Sequence, residues 1–225
     1  ADIWSDNPID ALASAASYLS SHGWNLSLPW GRVVTLPHDF DFALTAPTIV
    51  KPVSEFLRMG LGGLPSQLEV LGSIFLPMGA SGPAFWISDN FSVLKQYNNS
   101  VSYALSIGLL SDGFKTGALC NLNWPSNTKA LSRGDMKKLQ SRLTYQGFDK
   151  QGCDGVFGPN KEIALRGFQS KNGLFEDGDQ CDHVCGHRHG DIGGILHRPR
   201  RRGRLRRRRC AVHLAVVRFE LRQPS

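Results

Sequence analysis

The stretch LSRGDMKKLQSRLTYQGFDKQGCDGVFGPNKEIALRGFQSKNGLFEDG, residues 131–178, decides how the second half of this chain folds. Its glycines invite three readings: a calcium loop, a phosphate-cradling loop, or a turn between helices. A calcium loop of the EF-hand kind needs oxygen ligands at positions 1, 3 and 5, Gly at 6 and Glu at 12. Counted from Asp149, positions 3, 5, 6 and 12 hold Gln151, Cys153, Asp154 and Asn160, and the pattern fails. A phosphate loop needs its glycines between a strand and a helix, usually with a following Lys-Ser/Thr pair. No such pair follows Gly152. The spacing predicts two helices instead. Ser132 is placed to cap the first, with Asp135 three positions on. Met136, Leu139 and Leu143 recur at helical spacing, and Gly147 suits the left-handed position beyond the helix end. The turn from Gly152 to Gly158 leads into a second helix with Ile163, Ala164 and Phe168 on one face, and Gly173 stops it.

These residues resemble the small helical peptidoglycan-binding domain. Leu139, Gln140, Gly147, Phe148, Asp154, Gly155, Phe157, Gly158, Ile163, Phe168, Gln169, Gly173, Leu174, Asp177 and Gly178 match that family's pattern in order and spacing. The resemblance implies a module over residues 123–178, with Gln140, Asp154, Phe157, Phe168 and Gln169 as its peptidoglycan-binding positions. Asn160-Lys161 departs from the pattern, which places a Thr after the glycine turn. The family's further short helix is replaced here by an arginine tail.

The net charge of +7 suggests nucleic acid until it is located. Residues 1–178 hold 14 Lys and Arg against 15 Asp and Glu; residues 179–225 hold 12 against 4. All 12 cations of the tail are Arg, and five of the seven His and three of the five Cys lie there too. Cys181 and Cys185 with His183, His187 and His189 supply ligand types, but their spacings match no standard zinc module. No metal, no cofactor and no nucleic-acid partner is expected. The tail, 179–225, reads as a disordered basic segment or as an out-of-frame translation. Cys120 and Cys153 are candidates to pair if the protein is exported.

Upstream, Asn7 before Pro8 and Asp10 is a helix start, and Ile9, Leu12, Ala13, Ala16 and Leu19 form one apolar stripe closed by Gly23. Prolines break residues 25–82 into short helices, long loops and an expected strand pair, Arg32–Leu36 with Ser73–Pro77. A helix begins near Asn90, and Ser100 caps another that runs through Gly113. Phe85, Trp86 and Phe91 read as core. No apolar run reaches the roughly 18–20 residues that cross a bilayer.

This first part resembles the lytic murein transglycosylase B family, carried by DIWSDNPIDALASAASYLSSHGW (2–24), LPWGRVVTLPHDFD (28–41) and GPAFWISDNFSVLKQYNNSVSYALSIGLLSD (82–112). The resemblance implies a mainly α chain: the C-terminal part of a lysozyme-like catalytic domain over residues 1–122, followed by the wall-binding module. It implies cleavage of the bond between N-acetylmuramic acid and N-acetylglucosamine without water. One Glu protonates the leaving oxygen and then, as carboxylate, takes the proton of the muramoyl primary hydroxyl that closes an anhydro ring. That acid needs a raised pKa.

The resemblance places the acid before the DIW segment, upstream of Ala1. Glu55, Glu69, Glu162, Glu176 and Glu220 lack its Glu-Ser/Thr-x-Tyr/Phe-Gly surroundings, and Glu55 and Glu69 read as solvated helix residues. No catalytic residue is therefore expected in the chain. Tyr97, Asn98, Ser100 and Tyr103 remain as substrate-binding candidates. An aromatic face suits a pyranose, and an amide both donates and accepts; alternatively Tyr97 packs in the core, and Asn98 or Ser100 caps a helix. The expected setting is the periplasm or cell envelope of a Gram-negative bacterium, with glycan strands as partner, the protein a monomer and inactive alone. The rival expectation is a non-catalytic wall-binding protein.

Overall fold

The computed structural model describes residues 8–118, 120–125, 131–149 and 152–180. The expectations for Asn7, for the tail beyond residue 180 and for Glu220 lie outside the described residues. The fold is mostly helical with a small sheet. It divides into two units: residues 1–77 with 83–122, and Met78–Gly82 with 123–225.

In the first unit, helix α1 (Ile9–Ser21) is followed by strand β1 (Gly31–Val34), β2 (Lys51–Pro52), helix α2 (Val53–Arg58), β3 (Leu71–Phe75), β4 (Ala84–Ile87), and helices α3 (Asp89–Tyr97) and α4 (Val101–Thr116). The sheet is antiparallel in the order β1-β4-β3-β2. The two strands expected to pair are not hydrogen-bonded neighbours; each pairs with β4, Arg32 facing Trp86 on one side and Ile74 facing it on the other. β4 is buried on both faces, so it shows a continuous apolar run rather than alternation, and such a run gives no strand signal by period alone.

Its two faces serve two packings. Trp86 joins Val34, Phe40, Val53, Phe56, Leu61, Ile74 and Ala84 in one core. The indole lies so close over Gly72 that a Cβ there would stand 2.4 Å from Nε1. Phe85 packs with Trp30, and Trp30 with Phe91, at ring separations of 6.3 and 6.0 Å. Phe85, Trp86 and Phe91 are all buried, as their composition suggested.

α4 is fixed on this second packing by one contact pair. A Cβ at Gly108 would stand 2.4 Å from the Trp30 ring, so only glycine lets the helix approach, and the indole N–H donates to Asp112 Oδ2 at 2.9 Å. Buried Asn90 ties α3 to the segment after α1: its amide donates to the carbonyls of Asn25 (2.8 Å) and Leu28 (2.9 Å) and its oxygen accepts from the Asn25 N–H. The apolar stripe of α1 departs from expectation. Ile9 is 64 % exposed, Leu12 is 65 % exposed, and no residue of α1 is buried.

The second unit packs α5 (Arg133–Tyr145) against α6 (Pro159–Lys171) around Met136, Leu139, Leu143, Ala164, Leu165 and Phe168. Ser132 caps α5 as its sequence indicates, accepting from the Asp135 N–H at 3.2 Å and donating to its carboxylate at 2.7 Å. Gly147 and Gly173 take φ of 82° and 64° after the two helix ends. Ile163 is a correction: it is 61 % exposed, and the neighbouring Leu165 holds the core position. Cys120 and Cys153 are each free and exposed.

Candidate functional site

The first unit gathers an aromatic cluster at the junction of α3 and α4. Ser88 starts α3, accepting from the Asn90 N–H at 3.2 Å, and the helix delivers Tyr97 to its last turn. Ser100 caps α4, its Oγ accepting from the Tyr103 N–H at 3.2 Å. Tyr97 and Tyr103 therefore stack, with centroids 6.2 Å apart and planes inclined by 13°. Tyr97 is 50 % exposed.

Two further rings, Tyr18 of α1 and His22 at its C-terminal cap, complete the cluster. Tyr18 meets Tyr97 edge-on at 5.3 Å, and His22 stacks on Tyr18 at 3.8 Å. The Tyr18 hydroxyl donates to the Gln96 carbonyl at 3.2 Å, which fixes α1 beside the end of α3. Sequence reasoning missed Tyr18 and His22. Their signal was present in the i, i+4 spacing that puts both on one helix face.

The four expected substrate residues thus share one place but not one role. Tyr97 and Tyr103 offer ring faces. Asn98 is exposed at the α3 end, and its side-chain amide has no hydrogen bond among the described residues. Ser100 uses its hydroxyl oxygen to cap α4, so its local role is that of a helix cap.

Glu55 is engaged by a neighbour in β2. Lys51 bonds its carboxylate at 2.6 Å and holds its pKa below the ordinary carboxylate value, the opposite of the rise that proton donation needs. Glu69 lies exposed in a turn rather than in a helix. Glu162 is paired with Arg166 at 3.0 Å. Among the described residues there is no cluster of His, Cys, Asp and Glu that could hold a metal ion, and no helix is long and apolar enough to cross a membrane.

The expected wall-binding residues of the second unit build turns. Gln140, only 1 % exposed, donates from Nε2 to Asp154 Oδ1 and to the Val156 carbonyl, both at 2.9 Å, and accepts from the Gly155 N–H at 2.8 Å. Gln169, fully buried, repeats this on Asp177, Asp179 and Gly178 at 2.9, 3.3 and 3.0 Å. Phe168 lies in the core, and half-buried Phe157 packs on it. The amides of Gln140 and Gln169 are thus engaged by buried polar groups that need partners, and Phe168 is packed at the α5–α6 contact. Asp154 is exposed, its pKa held below the ordinary value by the Val156 N–H and by Gln140.

Comparisons with known proteins agree with both units. Residues 1–112 match the family model of the transglycosylase SLT domain, and residues 132–179 that of a putative peptidoglycan binding domain. The structure is similar to that of SltB3 from Pseudomonas aeruginosa in complex with NAG-anhNAM-pentapeptide, and to the same protein in complex with NAG-NAM-pentapeptide. Each is 43 % identical with a TM-score of 0.72, over 79 % of this chain and 49 % of that one. A curated relative, a spore cortex-lytic enzyme from Bacillus cereus, is 50 % identical over 50 residues, 22 % of this chain and 19 % of its own length. The chain spans about half the length of the solved relative. The family and the domain layout are those expected from the sequence: a transglycosylase SLT domain of lysozyme-like fold joined to a peptidoglycan binding domain.

Proposed function

We propose that this chain is the substrate-holding part of a lytic murein transglycosylase of the cell envelope, in the periplasm of a Gram-negative bacterium, and that it does not supply the catalytic acid. The observation that carries the reading is the half-exposed Tyr97 stacked on the partly buried Tyr103 and backed by Tyr18, on a transglycosylase domain. A ring half open to solvent offers a flat apolar face for a pyranose at little cost to the core. The Asn98 amide beside it can donate to an acetamido carbonyl and accept from an acetamido N–H. The rings hold the sugar while a carboxylic acid protonates the glycosidic oxygen. The C1–O4 bond breaks, the O6 hydroxyl closes on C1, and its proton returns to the carboxylate. Glu55 is held by Lys51 with its pKa lowered, Glu162 is paired with Arg166 and Glu69 lies in an exposed turn, which supports placing the acid outside these residues.

The reading is supported by the solved relative, whose crystal structure is in complex with NAG-anhNAM-pentapeptide. Its test is binding of NAG-anhNAM disaccharide to the purified chain by calorimetry. Tyr97→Ala is expected to weaken binding while leaving the melting temperature within a few degrees. Unchanged affinity in that variant would contradict the assignment.

A further inference from the structure

The turns at Asp154-Gly155 and Asp177-Gly178 share one hydrogen-bond pattern; Asp177 is buried and Asp154 exposed, and their side-chain bonds differ at Oδ2. In both, Oδ1 accepts from a buried glutamine and from the N–H two residues on: Gln140 and Val156 for Asp154, Gln169 and Asp179 for Asp177. Asp177 Oδ2 also accepts the backbone N–H of Ala80 at 3.0 Å, from the segment Met78–Gly82 that belongs to the same unit. Asp154 Oδ2 has no hydrogen bond among the described residues, and it sits on exposed surface beside exposed Val156.

The occupied copy also shows what kind of chain fits. The residue before the donating amide, Gly79, has φ of 60°, and a Cβ of L configuration there would stand 2.5 Å from Asp179 Cβ and 2.9 Å from Asp177 Oδ2. L-residues avoid that backbone region, whereas their mirror images occupy it without strain.

We propose that Asp154 and Val156 form a docking site for a peptide amide N–H that follows a D-amino acid or glycine, and that its occupant is the stem peptide of peptidoglycan rather than the sugar backbone. The assignment rests on the wall-binding reading of this module and adds which part of the polymer it grips. Stem peptides contain D-amino acids and so can supply such an amide. The Val156 side chain offers an apolar neighbour for a stem methyl group, and the ionised Asp154 makes the accepted bond a charge-assisted one.

The test uses the full 225-residue chain with four probes: intact sacculi, glycan strands stripped of peptide, free stem pentapeptide, and its all-L diastereomer. Asp154→Asn keeps an oxygen for Gln140 and Val156 but turns the outward acceptor into a donor. The wild type is expected to bind sacculi and the D-containing peptide, the all-L peptide more weakly, and the variant to bind the natural peptide about tenfold or more weakly. Should the variant melt early, amide shifts of Gly155 and Val156 on adding peptide to the wild type decide the matter, and their absence overturns the assignment. Peptide-free strands bound as tightly as sacculi would overturn it while leaving wall binding intact. Failure of every probe to bind would remove both.

Discussion

Asn160-Lys161 departs from the family pattern after the glycine turn, and replacing Lys161 by methionine should unfold the second unit. Its ammonium pairs with the Asp149 carboxylate and donates to the Gly152 carbonyl at 2.6 Å, with 6 % and 2 % of the two charged side chains exposed. Removing one partner of a buried pair costs about 3–5 kcal/mol, because the other charge stays behind in a poor dielectric. Asp149 has further contacts besides Lys161, which favours the lower end of that range. A module spanning residues 132–179 rarely holds more than about 3–5 kcal/mol in total. Lys161→Met alone should therefore leave α5 and α6 without hydrogen-exchange protection at 25 °C. Replacing both partners, as Lys161→Met with Asp149→Leu, should restore most of it, since two apolar residues leave no orphaned charge. The assay is amide exchange on the full chain, read at Leu139, Leu143, Leu165 and Phe168. Protection unchanged in the single variant would refute the reasoning. So would a double variant no more stable than the single.

Three smaller outcomes follow from the same geometry. Ser100→Ala should cost about 1 kcal/mol of stability through the lost α4 cap, with saccharide affinity unchanged once the chain is folded; calorimetry and melting curves separate the two. Asn98→Ala should do the reverse, lowering saccharide affinity with no change in melting temperature. The Asp154 turn should be pH-sensitive in one direction. Its folded pKa lies below the ordinary 3.8, so its contribution is fully present above about that pH and is lost as pH falls through the lowered value. Protection factors at Gly155 and Val156, taken against the intrinsic exchange rate at each pH, should fall in acid and be flat across neutral pH.

Much of this architecture is legible in the sequence because its signals are local. Ser132, Ser100, Gly147 and Gly173 each mark a helix end by chemistry that needs no tertiary partner, and all four sit where that chemistry puts them. What is not legible depends on neighbours distant in sequence. β4 hides because burial on both faces erases alternation. The α1 stripe has the right period for a core face, but period says only that a face exists, not that anything in the described fold covers it. Ile163 and Leu165 are both apolar on one helix, and the α5 contact alone decides between them. Gln140 and Gln169 have the look of ligand groups because exposed amides bind sugars; their burial in the Asp-Gly turns is set by the return of the chain onto its own helix. Tyr18 joins the aromatic cluster through two long-range ties, its own hydroxyl bond to Gln96 and the bonds of Asn90 to the segment after α1, 65 residues away in sequence.

The division of labour between holding the polymer and cutting it is tested most directly by incubating the purified 225-residue chain with sacculi, then measuring both the protein in the pellet and the anhydromuropeptides in the supernatant. The chain should sediment with the sacculi and release no anhydro product above a blank. Anhydro product formed by the purified chain would contradict the account and return Glu55 and Glu69 to consideration as acids.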